Sequence, residues 1–331
     1  MRAVVVREFG AIEAAAIGEM PEPKVGPGDV LLSVRATAAN FVDLLVIGGQ
    51  YQFLPPLPFV PGKGPAGVVT AVGSEVKTLK AGDRVLAMAE QGGYGALVAV
   101  PEHQCYRLPS AMSFTDAAAM SLVYDTSWFA LRDRGRIKPG DVVFVMGASG
   151  GVGYAAVQLA KAMGARVLAG VSTPAKADMV RAAGADVIID LAAPDLRDSL
   201  RTQVFAASDG NGADIVIDPL GGDFFDAALR AVAWCGRLVV IGFAAGRIPS
   251  LKANYLLLKN IEVSGLQVSD YRKRKPDQVA ECFAEIFAWY EQGKVKPSPA
   301  TTLPLAGFAE ALRQIRDRKA PGRMILTQDE T

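Results

Sequence analysis

The stretch Val142-Val143-Phe144-Val145-Met146-Gly147-Ala148-Ser149-Gly150-Gly151-Val152-Gly153 decides the fold. It is typical of a buried strand, a glycine-rich turn and the start of an alanine-rich helix over Tyr154–Met163. Ala148 takes the first position of the G-x-G-x-x-G pattern, which is tolerable if its φ is negative. Gly150 allows close approach of the backbone to a pyrophosphate, and Gly153 allows the helix to pack closely against the sheet. The free N–H groups of the helix start favour phosphates, so the stretch predicts a dinucleotide site. A glycine-rich turn without a ligand is the alternative.

Outward from this stretch, strand-like runs alternate with helix-length segments. Predicted strands are Arg166–Val171, Val187–Asp190, Asp214–Asp218 and Arg237–Gly242, and a helix is predicted near Ala175–Ala183. At this spacing, the alternation predicts right-handed βαβ units on a parallel sheet.

The regions on either side have a different pattern. Short apolar runs bounded by Gly, Pro and Asp, such as Val30–Val34 and Gly67–Val72, predict a β-rich first third. The last part of the chain predicts helices over Asp277–Gln292 and Leu305–Arg318 and a strand at Arg323–Leu326. We expect this tail to return to the first domain.

The composition narrows the function. The 331 residues are 50% hydrophobic with a net charge of +1, which indicates a globular protein without a nucleic-acid surface. Cys105, Cys235 and Cys282 lie far apart and His103 is the only histidine, which argues against a metal-dependent mechanism. The apolar run at the N-terminus is too short for a signal peptide, and no stretch approaches the roughly 20 apolar residues of a membrane span. We expect a soluble, cytoplasmic protein with no membrane partner.

The end of the second predicted strand favours one dinucleotide over another. An NAD-selective site places Asp or Glu there to hold the ribose 2′-hydroxyl. This chain has Ser172, Thr173 and Lys176 instead, which can donate to a 2′-phosphate. NADP(H) is therefore the predicted cofactor. A helix N-cap followed by Pro174 explains the same residues, and both roles are compatible.

Several further motifs resemble one family nearly from end to end. They are Asn40-Phe41-Val42-Asp43, Tyr51-Gln52, Leu57-Pro58-Phe59-Val60-Pro61-Gly62, Ala66-Gly67-Val68-Val69, Gly82-Asp83-Arg84-Val85, Thr126-Ser127, Asp218-Pro219-Leu220-Gly221-Gly222, Gly236-Arg237-Leu238, Gly242-Phe243 and Leu257-Leu258-Lys259-Asn260. With the glycine-rich loop, they are similar to the zinc-free quinone oxidoreductases, the zeta-crystallin-like branch of the medium-chain dehydrogenase/reductase superfamily.

The resemblance implies an α/β chain with a discontinuous GroES-like catalytic domain over 1–122 and 266–331 and a Rossmann domain over 123–265. It implies a cofactor between the domains and homodimers, sometimes tetramers, that pair through the Rossmann domains. Asn40, Tyr51 and Thr126 would line the nicotinamide and substrate side. The cofactor would contact Ala148, Ser149, Gly150, Gly151, Val152 and Gly153 at the pyrophosphate, Ser172, Thr173 and Lys176 at the 2′-phosphate, and Val240, Ile241, Gly242, Phe243, Gly265, Leu266 and Gln267 at the nicotinamide.

Two positions depart from the family pattern. Relatives usually carry Glu in a Pro-Gly-x-Glu stretch, where this chain has Lys63 and Gly64, so a polar neighbour of that carboxylate is expected to take another partner. Many relatives carry Tyr or His after the third strand, where this chain has Leu191. Binding of the 2′-phosphate would then depend more on Ser172, Thr173 and Lys176.

The implied reaction is hydride transfer to a quinone or an activated enone without metal. Tyr51 is the expected proton donor, although solvent could supply the proton and Tyr51 could instead pack under the proline-rich loop. Asp43 could orient a partner or make a structural hydrogen bond, and His103 is expected on a surface strand.

The family also leaves alternatives. The basic run Arg272-Lys273-Arg274-Lys275 predicts a solvated helix entrance, or a receptor for the phosphates of an acyl-CoA in an enoyl-thioester reductase. Phe53, Leu54, Leu57 and Phe59 suggest an apolar rim and favour the compact quinone or enone. A zeta-crystallin-like structural or RNA-binding role is the third possibility, and the balanced charge argues against RNA.

Overall fold

A computed structural model describes residues 1–328, which form two compact units. The first unit combines Met1–Leu122, Arg272–Phe287 and the chain from Lys296 onward, and the second combines Val123–Tyr271 with Ala288–Val295. The resemblance implies bounds of 1–122 and 266–331 for the first domain, and the first unit runs to Leu122 and resumes at Arg272.

Side-chain contacts explain the later boundary. The ring of Tyr271 lies 4.3 Å from that of Phe129, and its hydroxyl bonds to Asp133, so Tyr271 belongs to the second unit. The next residue, Arg272, forms an ion pair with Glu90 of the first unit.

The first unit is built on β-strands, as the sequence predicts. Its elements are β1 (Arg2–Val6), β2 (Ala15–Glu19), β3 (Asp29–Ala39), α1 (Phe41–Ile47), β4 (Ala66–Val72), β5 (Arg84–Ala87), β6 (Leu97–Pro101), β7 (Cys105–Arg107) and α2 (Phe114–Met120). The second unit contains α3 (Val123–Phe129), a π-helical turn (Ala130–Arg134), β8 (Val142–Val145), α4 (Gly151–Ala162), β9 (Arg166–Val171), α5 (Pro174–Ala182), β10 (Val187–Asp190), α6 (Leu196–Ala207), β11 (Ala213–Asp218), α7 (Gly222–Ala231), β12 (Val232–Val240), α8 (Asn254–Lys259) and β13 (Glu262–Gly265). The remaining elements are α9 (Val268–Arg274), α10 (Pro276–Glu291), β14 (Ala300–Pro304), α11 (Phe308–Arg316) and β15 (Arg323–Thr327).

The sheet of the first unit has seven strands and is completed by the tail of the chain. Its path runs β14-β15-β3-β4-β5-β7, with β6 also paired to β3. The last strand pairs antiparallel with β3, with Met324 opposite Ala39. The expectation that the tail returns to the first domain is therefore confirmed.

The second unit has a parallel sheet in the order β10-β9-β8-β11-β12-β13, and every strand pair in it is parallel. Counted from β8, this is the doubly wound order 3-2-1-4-5-6 of dinucleotide-binding domains. The predicted strands Arg166–Val171 and Val187–Asp190 are found with those bounds. The order reverses between β8 and β11, which is where such sheets bind ligands at their carboxyl edge.

The strand predicted at Arg237–Gly242 has different ends in the structure. The strand β12 starts at Val232 and stops at Val240, two residues before the predicted end at Gly242. The backbone after Val240 turns over the end of β11, where Ala244 and Ala245 donate hydrogen bonds to the carbonyls of Pro219 and Leu220. This turn brings residues 240–243 to the carboxyl edge of the sheet.

Candidate functional site

The glycine-rich loop has the geometry of a phosphate-binding turn. Gly147 has a φ of +58°, whereas the φ of Ala148 is outside the positive range. This agrees with the condition under which alanine is tolerable at the first position of the pattern. The N–H of Ala148 donates to the carbonyl of Gly170, which ties the loop to β9. The first hydrogen bond of α4 is donated by Tyr154 to Gly150 at 2.7 Å. The three preceding N–H groups in the helix therefore have no acceptor in its backbone and can face an anion.

Gly153 explains why the helix starts so close to the loop. A Cβ added at Gly153 would lie 2.3 Å from the carbonyl oxygen of Gly147 and 2.7 Å from the Cα of Ala148. Backbone atoms cannot yield to such an overlap, so only glycine fits, as the sequence predicts for the third glycine of the pattern.

A helix from the start of the second unit holds the same loop from the side. The hydroxyl of Ser127 lies 2.7 Å from the carbonyl of Val123 and 2.9 Å from the carbonyl of Val152 in the first turn of α4. The neighbouring Thr126 is 8% exposed, and its N–H donates to the carboxylate of Asp125. The structure thus places Thr126 on a helix that is fastened to the phosphate loop.

Asp218 organises the turn after β11. Its Oδ1 accepts hydrogen bonds from the N–H groups of Leu220 and Gly221, each at 2.8 Å. A Cβ added at Gly147 would lie 3.0 Å from a methyl of Leu220, so this turn packs against the phosphate loop. The side chain of Asp218 is fully buried, and burial raises its pKa to about 6. The sequence pattern gave no indication of this role.

The two segments expected at the nicotinamide come together on the same edge. The N–H of Leu266 donates to the carbonyl of Val240 at 3.0 Å, and the N–H of Ile241 donates to the carbonyl of Asp218 at 2.8 Å. A Cβ on Gly221 would lie 2.9 Å from the ring of Phe243. The residues predicted for this part of the site are therefore adjacent: Val240, Ile241, Gly242 and Phe243 lie beside Gly265, Leu266 and Gln267.

The segment expected at the 2′-phosphate is exposed after β9. Ser172, Thr173 and Lys176 are all exposed, and the side chain of Thr173 makes no capping hydrogen bond to α5. The strand register places Asp190 opposite Val171, next to this segment. Its Oδ1 accepts the N–H of Ala192 at 2.8 Å, so the carboxylate is engaged by its own loop.

Leu191, the second departure from the family pattern, belongs to the core. It is 6% exposed and contacts Gly170, where an added Cβ would lie 3.1 Å from its methyl group. A side chain in this orientation is packed rather than presented to a ligand.

In the first unit, Asn40 and Asp43 belong to a buried polar network. The side-chain amide of Asn40 donates to the carbonyl of Ala38, and its oxygen accepts from Arg323, both at 2.9 Å. The carboxyl of Asp43 accepts from the N–H of Asn40 at 2.8 Å and from the hydroxyl of Tyr94 at 2.9 Å. Burial raises the pKa of Asp43 to about 6. Asp43 therefore has the structural hydrogen-bonding role that was one of its two predicted options.

The position where relatives carry Glu has a backbone that only glycine adopts easily. Gly64 has a φ of +62°, and an added Cβ would lie 2.9 Å from both Cβ and Oγ of Ser121. Nearby, Arg323 donates to the carbonyl of Ala119 at 3.1 Å as well as to Asn40. The buried guanidinium thus bonds to neutral oxygens in a region where relatives have a carboxylate.

Tyr51 is half-buried beside a partly exposed aromatic rim. Its ring meets that of Phe53 edge to face at 6.4 Å, and Lys63 Nζ lies over it, 5.3 Å from the centroid. Phe53, Leu54 and Leu57 are exposed, as expected for an apolar rim. Phe59 is not part of this rim: it is 4% exposed and exchanges backbone hydrogen bonds with Val6 in the core.

The basic run 272–275 is divided between core and surface. Arg272 is 3% exposed and pairs with Glu90 at 2.9 Å, so the prediction of a solvated helix entrance is wrong for this residue. Its guanidinium faces a carboxylate of the first unit, which the local sequence cannot reveal. Lys273, Arg274 and Lys275 are exposed. His103 is also exposed, in a short 3₁₀ turn rather than a strand.

Within residues 1–328, no group of three or more His, Cys, Asp or Glu side chains is arranged to hold a metal ion. None of the helices in the same range has the length and hydropathy needed to cross a membrane.

The fold and this site define a two-unit, dinucleotide-binding oxidoreductase with a GroES-like and a Rossmann unit. Residues 26–110 match the model of the alcohol dehydrogenase GroES-like domain, and residues 151–285 match that of the zinc-binding dehydrogenase family. A quinone oxidoreductase-like protein 2 homolog from Nematostella vectensis is 35% identical over 328 residues, which cover 98% of this chain and 88% of the relative.

Solved structures agree with this match. A quinone oxidoreductase from Pseudomonas syringae is 30% identical with a TM-score of 0.91, over 98% of this chain and 99% of the other. A mycobacterial protein solved in complex with NADPH is 29% identical with a TM-score of 0.91, over 99% of both chains. The chain belongs to the quinone oxidoreductase-like branch of the medium-chain dehydrogenase/reductase superfamily.

Proposed function

We propose that this protein is an NADPH-dependent reductase that transfers hydride to a quinone or an activated enone without a metal ion. The observation that carries the proposal is the carboxyl edge of the parallel sheet in the second unit. There the open N–H groups of α4, the turn held by Asp218 and the paired segments 240–243 and 265–267 form one continuous ligand-binding edge. Bound NADPH would supply the hydride.

The preference for NADPH over NADH rests on the exposed segment after β9. Ser172 and Thr173 offer hydroxyl groups and Lys176 offers a cation, all on the surface. The neighbouring Asp190 is exposed, and one oxygen of its carboxylate accepts a hydrogen bond from its own loop. A 2′-phosphate placed here would meet donors and one positive charge.

Tyr51 is the proposed proton donor. Its phenol is half-buried and lies next to an exposed apolar rim that suits a compact apolar acceptor. Asn40, held in place by Arg323, and Thr126, held beside the phosphate loop, are proposed to line the reacting groups. The donor set supports the metal-free part of the proposal, because no group of three or more His, Cys, Asp or Glu side chains within residues 1–328 is placed to hold a metal ion.

The test is NADPH oxidation by the full chain against quinones, enones and enoyl-CoA esters. The proposed function predicts turnover with quinones or enones that survives chelator treatment, and a loss of about a hundredfold in kcat for enones in Tyr51→Phe. Tyr106→Phe is the matched control, because Tyr106 is a tyrosine of the same unit that stacks on Phe283 at 4.3 Å. Unchanged enone turnover in Tyr51→Phe would remove the proton-donor role.

An enoyl-thioester reductase is the second candidate, and the exposed cations Lys273, Arg274 and Lys275 favour it. The same assay separates the two functions. A kcat/KM for enoyl-CoA well above that for the matching enone without CoA, lost when these three residues are changed to Gln, would favour the thioester reductase. Equal values for the two acceptors would favour the compact apolar substrate.

We further propose that two copies associate through the edge of the parallel sheet in the second unit. The strand β13 lies at the sheet edge, and Trp234, Leu257 and Leu258 of the same unit are 74%, 78% and 74% exposed. Such exposure is typical of an interaction surface. Light scattering after size exclusion should report a dimer that Leu257→Lys converts to a monomer. Ile248→Lys, a control that is 69% exposed in the same unit, should remain dimeric.

A further inference from the structure

A buried lysine stands where the family pattern has changed. Lys63 is 4% exposed, and its ammonium forms an ion pair with Glu90. Burial of an ammonium group is unfavourable unless its charge is compensated. Packing alone therefore does not explain why a lysine occupies this buried position.

A second buried cation contacts the same carboxylate. Arg272 Nη1 lies 2.9 Å from Glu90 Oε1, and the side chain of Arg272 is 2% exposed. Glu90, which is 33% exposed, therefore bridges the two cations. The carboxyl of Asp43 also interacts electrostatically with Lys63, which lowers its pKa. This carboxyl already accepts hydrogen bonds from Asn40 and Tyr94.

The ammonium of Lys63 also lies over an aromatic ring. Lys63 Nζ lies over Tyr51, 5.3 Å from the ring centroid, within the range of a cation–π interaction. Lys273 makes the same kind of contact with Phe53, at 5.0 Å, on a ring that has no proton to give. Arg84 lies over Phe114 of the same unit at 4.7 Å, so the first unit contains cation–ring pairs that differ in the chemistry of the ring.

We propose that Lys63 is a positioning residue for Tyr51, holding the ring in place and stabilising the negative charge that develops on its oxygen as it delivers a proton. The inference rests on the proposed function. Glu90 serves this role by holding the ammonium in place.

The proton step balances without a further reactant. The hydride that bound NADPH would supply, with its oxidation to NADP+, adds to the β-carbon of the enone. The O–H bond of Tyr51 breaks as its proton bonds to the α-carbon. The phenolate that remains takes a proton from solvent, so each turnover consumes one NADPH and one proton. Lys63 forms no bond to the substrate.

Variants at Lys63 separate charge from packing. Lys63→Met removes the charge at similar length, and Lys63→Arg keeps it. We expect Lys63→Met to lower kcat for an enone about tenfold with KM within about twofold of wild type, which corresponds to the loss of one desolvated cation–ring interaction. Lys63→Arg should retain most of kcat. Arg84→Gln removes the cation that lies over Phe114 at 4.7 Å in the same unit, and this control should leave kcat unchanged.

The deciding experiment is a double-mutant cycle between Lys63→Met and Tyr51→Phe, with thermal unfolding measured for each variant. If Lys63 acts through Tyr51, Lys63→Met has no further effect on kcat once the phenol is gone. An equal fold-loss in both backgrounds, or an equal loss in Lys63→Arg and Lys63→Met, would overturn the inference. If Lys63→Met does not fold, Lys63→Gln carries the same expectation. Absence of NADPH turnover in the wild type would instead overturn the proposed function.

Discussion

Replacing Asp218 by Asn should change how the stability of the second unit depends on pH. The carboxyl is fully buried, and burial raises its pKa from 3.8 to about 6. An acid whose pKa is higher in the folded than in the unfolded state favours folding only while it is protonated. The stabilising contribution of the protonated carboxyl is therefore fully present below about pH 4. It falls as the pH rises toward 6 and then levels off. A rise of about two units corresponds to about 3 kcal/mol.

The asparagine variant keeps the acceptor that holds the turn but cannot ionise. It retains an oxygen for the N–H groups of Leu220 and Gly221, so the free energy of unfolding of Asp218→Asn relative to wild type should increase by about 3 kcal/mol between pH 4 and pH 7. Any fixed cost of the new amide shifts the whole curve without changing its slope.

Urea unfolding followed by tryptophan fluorescence measures this difference. The three tryptophans, Trp128, Trp234 and Trp289, all belong to the second unit, so the signal reports the unit that contains Asp218. Asp178→Asn is the control, because the side chain of Asp178 is 89% exposed in the same unit. Parallel curves for wild type and Asp218→Asn across pH 4 to 7 would refute the reasoning.

Three further changes test separate parts of the structure. Gly64→Ala should lower the free energy of unfolding by about 2–4 kcal/mol in a denaturation experiment. The cost arises because the residue has a positive φ and because the new Cβ would overlap with Ser121. Gly82→Ala, with a φ of +94° and open space, should cost less, and equal losses would contradict the overlap argument. Lys176→Gln should raise KM for NADPH about fivefold and leave KM for NADH unchanged, and a parallel rise would remove the 2′-phosphate role. Burial raises the pKa of Glu102, but hydrogen bonds from residues 77–79 outweigh this effect and lower the pKa to about 2. Glu102 should therefore stabilise the fold above about pH 4.5 and lose this effect as the pH falls toward 2. Circular dichroism of Glu102→Gln should then show a stability deficit at pH 6 that narrows at low pH, and a constant deficit would argue against it.

The sequence predicted the elements of the parallel sheet well because their signals are local. Buried apolar runs and glycine or proline punctuation define Arg166–Val171 and Val187–Asp190 without knowledge of the fold. The glycine pattern at 147–153 carries its own steric reason, since Gly153 would clash with its own loop if it had a side chain.

Residues whose role depends on distant partners were not predictable. Lys63 and Glu90 are 27 positions apart, and Arg272 and Glu90 are 182 positions apart, so no spacing rule connects them. Arg272 looked like a surface cation because its neighbours in the sequence are basic, although its guanidinium lies in the interior. Asp218 was visible only as part of a family motif, because its effect comes from burial and from the backbone of the turn that it holds.

The proposed activity combines NADPH binding by the second unit with hydride transfer to an organic acceptor. Steady-state oxidation of NADPH and of NADH, each with the same quinone and the same enone, measures both parts. We expect turnover with a kcat/KM for NADPH at least about tenfold above that for NADH. No turnover with either acceptor, or equal kcat/KM for the two nucleotides, would show that the proposal is wrong.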